Sequence, residues 1–326
     1  MPTRRSLVFG SAALAGAGSV NFAPARAQQP YPTRPIRIIV ANPPGGDDDL
    51  LTRFIAQAMA PEFGQPILTE NRGGGATTIG GLAAAQAAPD GHTLLCVHMA
   101  SIIQTVLRDR LQYSMASFVP IIGIGGYPMA LVVSPRSEIR TLADLKAVAS
   151  RGDGVTYVSA GAGTLGHLTS VRFLTAIEGR GMHVPYRNNP EGLQALAGGF
   201  AEMMFPSARE AANLSREGHV RVLAVTSKQR ITNLPDTPTM TELGLPQIDS
   251  RLWYSYVAPA GTRPDIVARL GDAIEKVVTS PAFGERFGPL SFQSDITRGE
   301  PLAQFINTQA SRFRALVVEN NISFTD

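Results

Sequence analysis

A chain of 326 residues with one cysteine, 29 basic and 26 acidic side chains excludes several classes before any motif is read. One cysteine cannot build an intramolecular disulfide framework. A formal charge of +3 gives no argument for nucleic acid or an anionic membrane as partner, and at about 150 residues per domain the length fits two domains with substantial cores.

The first 27 residues read as an export leader. Arg4 and Arg5 form a basic start, Leu7 to Val20 is a small apolar run, and Ala25-Arg26-Ala27 is a cleavage signal. The run is too short and too rich in Gly and Ala to serve as an anchor. Thr3-Arg4-Arg5-Ser6-Leu7 resembles a twin-arginine signal, and an ordinary leader with adjacent arginines explains it equally well. Without the leader's three arginines, 26 basic residues face 26 acidic ones, so the basic balance belongs to the leader. With no cysteine near the cleavage point to carry a lipid, the expected product is a soluble periplasmic protein cleaved near Ala27.

After the leader, short β-branched runs alternate with helical stretches. Strands are expected at 36–40, 67–70, 93–97, 121–124, 130–133, 155–159, 183–185, 203–205, 221–225 and 254–258. Helices are expected at 48–60, 76–87, 141–150, 164–178, 190–198, 207–216, 264–280 and 299–319. This alternation predicts an α/β fold with two mixed, mainly parallel sheets covered on both faces. Thr141-Leu-Ala-Asp144 reads as a helix cap, Pro264 as a first-turn proline, and 228–246 as loop with one helical turn near 239–243. Cys96 lies in the apolar run Thr93–Val97 and reads as a buried structural thiol. The apolar strands at 130–134 and 253–258 are candidates to cross between two lobes. The division is then leader 1–27, lobe 1 from 28–127 plus 252–326, and lobe 2 from 128–251, with an inter-lobe cleft as the ligand site.

Between the first strand and first helix, Val40-Ala-Asn-Pro-Pro-Gly-Gly-Asp-Asp-Asp-Leu50 leaves backbone N–H groups free at a helix N-terminus, which is an anion site. Three aspartates occupy the same mouth. Gly161-Ala-Gly-Thr-Leu-Gly166 follows a strand and opens a helix, as a dinucleotide loop does. Its mid-chain position, the leader, and the absence of an acid after Val184-Pro-Tyr-Arg187 argue against a nicotinamide cofactor, and no cofactor is expected. The loop can still hold a small anion, or serve only as a tight turn. There is no G-x-S-x-G elbow and no paired-histidine metal spacing among His92, His98, His167, His183 and His219. The consecutive aspartates lack the spacing of a calcium loop. Neither an enzyme nor a metal site is expected. His98 and His167 are candidates to face the cleft, and among the aromatics Tyr186 and Trp253 are the candidates to line it.

Taken in order, Tyr31-Pro-Thr-Arg-Pro-Ile36, Pro43-Pro-Gly-Gly46, Gly64-Gln-Pro66, Glu70-Asn-Arg72, Ala88-Pro-Asp-Gly-His-Thr-Leu-Leu95, Ser159-Ala-Gly-Ala-Gly-Thr164, Val184-Pro-Tyr186, Leu223-Ala-Val-Thr-Ser227, Leu234-Pro-Asp-Thr-Pro238 and Ala258-Pro-Ala-Gly-Thr262 resemble the periplasmic solute receptors of tripartite tricarboxylate transporters, the Bug family. The resemblance spans the whole mature chain. It implies a two-lobed, periplasmic-binding-protein-like (type II) fold. It also implies capture of a small carboxylate, or a related amide or amino acid, for the membrane subunits of a transporter. A ligand-sensing partnership with a sensor kinase is the alternative, and a periplasmic hydrolase a more remote one. A monomer is expected. Carried onto this chain, the binding positions are Asn42, Pro44, Gly45, Gly46, Asp47 and Asp48 in the first loop, Ser159, Ala160, Gly163, Thr164 and His167 in the second, and Ser101 and Ser207 as further wall.

The first loop departs from the family pattern Pro-Pro-Gly-Gly-Gly-Thr-Asp. Asp47 stands for the third glycine and Asp48 for the threonine, while Asp49 matches. Pro206-Ser207 replaces Asp-Asn, and Tyr186-Arg187-Asn188 replaces Tyr-Lys-Gly. Like charges 4 Å apart cost on the order of 4 kcal/mol at an effective dielectric of about 20, roughly three decades of affinity. An aspartate here therefore caps its own helix, pairs with an arginine such as Arg53 or Arg187, or meets an amide or amine on the ligand. The first outcome is expected for Asp49. The ligand is expected to be less anionic than a tricarboxylate.

Overall fold

The computed structural model describes residues 31–319 apart from Asp109, so the leader and its cleavage signal lie outside the described residues. The chain runs β1 (Ile36–Val40), α1 (Asp47–Phe63), β2 (Ile67–Asn71), α2 (Thr78–Ala85), β3 (Thr93–His98), α3 (Met99–Leu107) and β4 (Phe118–Pro128). It continues with β5 (Ala130–Val133), α4 (Leu142–Ala149), β6 (Val155–Ser159), α5 (Leu165–Ala176), β7 (Gly181–Pro185), α6 (Asn189–Gly198), β8 (Met203–Met204), α7 (Ala208–Arg216) and β9 (Arg221–Val225). It closes with β10 (Arg251–Pro259), α8 (Pro264–Val278), α9 (Pro281–Phe287), β11 (Gln293–Thr297) and α10 (Gly299–Glu319).

Two sheets form, one of order β11-β4-β10-β3-β1-β2 and one of order β7-β6-β8-β5-β9. The fold is two-lobed, with one sheet per lobe. Each sheet is parallel where strand and helix alternate, as at β2-β1-β3 and at β7-β6-β8. The antiparallel share is larger than alternation alone predicts. β10 runs against both β3 and β4, and β5 against both β8 and β9, because these strands lie where the chain leaves one sheet for the other. The outward passage is at Pro128–Ala130 and the return at Ser250–Arg251. Thr226 ties them together. Its Oγ1 accepts the Met129 N–H at 2.8 Å and donates to the Ser250 carbonyl at 2.5 Å, and its N–H donates to the Met129 carbonyl at 2.9 Å.

Burial follows the strand period. Leu131 and Val133 join a core that runs from Ile39, Leu95 and Val97 of the first sheet through Trp253 and α10 to Tyr157 and Met203 of the second. Val132, one residue over, faces Leu193 and Leu196 of α6 and Ala208 and Ala211 of α7 on the opposite face. Both faces of the second sheet are therefore covered, as in a sheet fed by crossover helices. Three elements go beyond the sequence expectation. α3 starts directly at the end of β3 with no separating turn, α9 restarts at Pro281 after α8, and β11 is a polar edge strand without an apolar run. The cap at Thr141 forms as a complete capping box, and Pro264 opens α8. No described helix is long and apolar enough to cross a membrane.

Candidate functional site

The C-terminal ends of β1, β3, β6 and β7 carry the chain into helices α1, α3, α5 and α6. This is the edge of an α/β sheet where ligands bind, because helix N-termini converge there. A cavity of ≈ 230 Å³ opens between the two sets, lined by Asn42, Asp48, His98 and Tyr254 on the first-sheet side and Ala160, Thr164, Leu165, Gly166 and Asn189 on the second. Ala100, Met129, Phe205 and Leu252 complete the wall.

The three aspartates of α1 take three different directions. Asp49 turns back onto its own loop, away from the cavity, but it does not cap the helix as expected, because the N-cap is Gly46 and no side chain accepts from the first-turn N–H groups. It accepts the Gly45 N–H at 2.9 Å and pairs with Arg53 Nε at 2.9 Å. Burial works against its charged form, yet Arg53, the Gly45 N–H and Asn71 together hold its carboxyl below the ordinary value. Asp47 reaches across to the second lobe and meets Arg209 of α7 at 3.0 Å, a different arginine from the Arg187 considered above. Burial pushes the Asp47 carboxyl up, Arg209 only partly offsets this, and the adjacent Glu210 adds to the rise. Asp48 points into the cavity and is 4 % exposed.

Asn42 organises the first wall. Its amide nitrogen donates to Asp48 Oδ2 at 2.7 Å and meets His98 Nε2 at 2.8 Å. One hydrogen for each neighbour requires His98 Nε2 to be an acceptor, so the imidazole is neutral. Burial lowers the His98 pKa, against the opposing pull of Asp48, and this agrees with that tautomer. Tyr254 pairs with His98 across β10 and β3. Its hydroxyl is pushed well above the ordinary value by burial and by Asp47 and Asp48, so it remains a donor.

The second wall is built from beneath. Gly161 and Gly163 adopt φ of +116° and +74°, which side-chain-bearing residues rarely adopt. At Gly166 a Cβ would stand 2.8 Å from the Phe205 carbonyl oxygen, so glycine lets α5 sit on the strand end. The dinucleotide-like spacing thus has a complete backbone explanation. Thr164 caps α5 by accepting from the His167 N–H. His167 Nδ1 accepts the Gly163 N–H at 3.0 Å, and its ring stacks on His183 with centroids 3.9 Å apart. Burial and the neighbouring His183 lower the His167 pKa to about 4.

Of the residues singled out from sequence, the cavity brings together Asn42, Asp48, His98, Ala160 and Thr164. Ser159, Gly163 and His167 lie behind the second wall and hold its loop. Pro44, Gly45 and Gly46 are exposed and are not among the residues lining the cavity. Ser207 caps α7 in a capping box with Glu210, whose carboxylate also accepts from Asn189. Ser101 is buried on α3 with no hydrogen-bond partner for its hydroxyl, next to cavity-lining Ala100. Tyr186 is half-buried against the far side of the second sheet. Trp253 packs in the core, 4.8 Å from Phe305, and its strand neighbour Tyr254 reaches the cavity instead. Alternation along β10 decides which of the two does so. Asn189, Phe205 and Leu252 carry no motif, and only the fold brings them to the wall.

A Ser–His pair does occur, since Ser159 Oγ lies 2.8 Å from His183 Nε2. The serine hydroxyl also lies 2.9 Å from the Gly161 carbonyl and accepts the Gly161 N–H at 3.2 Å, and neither Ser159 nor His183 lines the cavity. No group of three or more His, Cys, Asp or Glu among the described residues is placed to hold a metal ion.

The model of the tripartite tricarboxylate transporter family receptor matches residues 51–322. Protein BugT of Bordetella pertussis is 31 % identical over 298 residues, 89 % of this chain and 90 % of BugT. Among solved structures, MatC from Rhodopseudomonas palustris with bound malate is similar at 28 % identity and a TM-score of 0.71, covering 88 % of this chain and 100 % of that one. Rpa4515 of R. palustris with adipate is similar at 25 % identity and a TM-score of 0.77, covering 90 % and 99 %.

Proposed function

The chain belongs to the tripartite tricarboxylate transporter receptor family, and from that membership we propose that it captures a small organic carboxylate, or a related amide or amino acid, between its lobes and presents it to the membrane subunits of a transporter. One observation carries this reading: the ≈ 230 Å³ cavity is walled by loops and helix N-termini from both sheets, so a ligand touching both walls favours the closed arrangement. Malate in MatC and adipate in Rpa4515 are small carboxylates of the size such a space admits.

We take lobe 1 as 28–127 with 252–326 and lobe 2 as 128–251, with the hinge at the Thr226 junction. The leader of residues 1–27 directs the chain to the periplasm and is removed near Ala27, and the receptor acts as a monomer. The role is binding without chemistry. The place of the Ser159–His183 pair outside the cavity lining supports this, as does a lining whose histidine, His98, accepts from Asn42.

A thermal-shift screen of small carboxylates, amides and amines on the mature chain tests the reading. A ligand present at 100 times its Kd should stabilise the fold by about 2.7 kcal/mol, and small-angle scattering should show compaction. Turnover of a bound compound, or a panel in which no compound shifts the melting temperature, overturns the proposal.

A further inference from the structure

On the first wall, the first turn of α1 already carries negative charge, although no side chain caps its N-terminus. Asp47, Asp48 and Asp49 occupy its first turn, Asp49 takes the Gly45 N–H, and no lysine or arginine lines the cavity. The groups facing the space are the Asp48 carboxylate, which has one bond, from Asn42, and several lone pairs to spare, and the Tyr254 hydroxyl. On the second wall the balance is reversed. Leu165 and Gly166 are the first two residues of α5, a helix of 12 residues with no acid in its first turn, and both line the cavity. Their N–H groups have no partner within the helix, and the positive end of its dipole points the same way. Asn189 opens α6 beside them. Met129, Phe205 and Leu252 contribute apolar wall.

We propose that this site takes a small carboxylate whose far end carries an ammonium or a primary amide. The carboxylate lies on the α5 N-terminus, the N–H donors lie on Asp48, and Asp48 is the residue that sets this specificity. The inference rests on the receptor reading above and narrows it to a ligand class and an orientation. A diacid in the same pose places its second carboxylate against Asp48, where two like charges meet in a site sheltered from water. An amine or amide end turns the same contact into a charge-assisted hydrogen bond. His98 cannot relieve a diacid, because its Nε2 is committed as an acceptor from Asn42.

The test is calorimetry on the mature chain with matched sets of four to six carbons. Each set holds a diacid, its half-amide, the ω-amino acid and the plain alkanoate. At the length that binds, the amino or half-amide member should be at least about tenfold tighter than the diacid and the alkanoate. Asp48→Asn should weaken the amino acid about tenfold and bring the diacid closer to it. A diacid or alkanoate that is tightest in its set overturns the inference and leaves the receptor reading standing. An amino-acid affinity unchanged in a folded Asp48→Asn overturns the role of Asp48, and the ranking on the unaltered chain decides the ligand class even where the variant fails to fold. A panel in which no member binds overturns the receptor reading, and this inference with it.

Discussion

The two walls of the cleft begin from the same device, a strand running through a glycine turn into a helix, and end with opposite chemistry. At α1 the chain places three carboxylates in the first turn, where their charge opposes a bound anion without capping the helix, and one of them, Asp47, pairs with Arg209 of the other lobe. At α5 a threonine caps the helix, and histidines behind the loop hold it, while Leu165 and Gly166, whose N–H groups have no partner within the helix, line the cavity. Free N–H groups at a helix start attract an anion only where no nearer negative charge opposes it. The motif is therefore less informative than the first turn that follows it.

The comparison breaks most severely if the second wall is removed. His167→Ala deletes the acceptor of a buried N–H and leaves a cavity under the loop, and should cost about 2–4 kcal/mol in chemical denaturation. The same wall should be the acid-sensitive one. The folded-state pKa of His167 is depressed to about 4, so the folded chain binds fewer protons than the unfolded chain below the ordinary histidine range. The stability it contributes is intact above about pH 6.5 and is lost as pH falls toward 4. Hydrogen exchange at pH 5 against pH 7 should show the 159–167 loop losing protection before the 41–49 loop, and equal loss in both would count against the contrast.

Next in size is the bridge between the walls, where the two partners should behave unequally. Arg209→Ala strands the Asp47 carboxylate and should cost about 1–2 kcal/mol, because an uncompensated half-buried charge remains. Asp47→Asn should be neutral or slightly stabilising at pH 7. The Asp47 pKa is raised on folding, so its contribution is present below the carboxylate range and is lost as pH rises through its folded value. Equal losses for the two variants in thermal melts would contradict this. Scattering should show both variants more open, with closure recovered in the charge-swapped pair.

The smallest expected effect concerns β10. Tyr254→Phe removes a hydroxyl from the first wall and should reduce ligand affinity by up to about tenfold, with a change of under about 0.5 kcal/mol in stability. A large stability loss would move that hydroxyl from the site into the fold.

Much of the architecture was legible because periodicity and caps are local. β1, β5, β6 and β9 lie where β-branched runs place them, and Thr141 and Pro264 open their helices. α3 is not legible because it starts with no turn after β3, and β11 because an edge strand needs no apolar run. In the site, Asn42, Asp48, Ala160 and Thr164 are legible from loop position and His98 is also an expected cleft residue, whereas β10 turns Tyr254 inward and leaves Trp253 in the core.

By itself, the sequence determined the strand and helix order, the glycine turns at both loops, and the presence of three consecutive acids at the first of them. These are properties of consecutive residues and their backbone preferences. Only the tertiary structure decided what each acid does. Asp49 returns to its own loop, Asp47 meets Arg209, 162 positions along the chain, and Asp48 is left facing the cavity beside Asn42 and His98. The direction of a side chain at a helix start depends on which partner lies within about 3 Å, and here the folding of distant strands brings most of those partners.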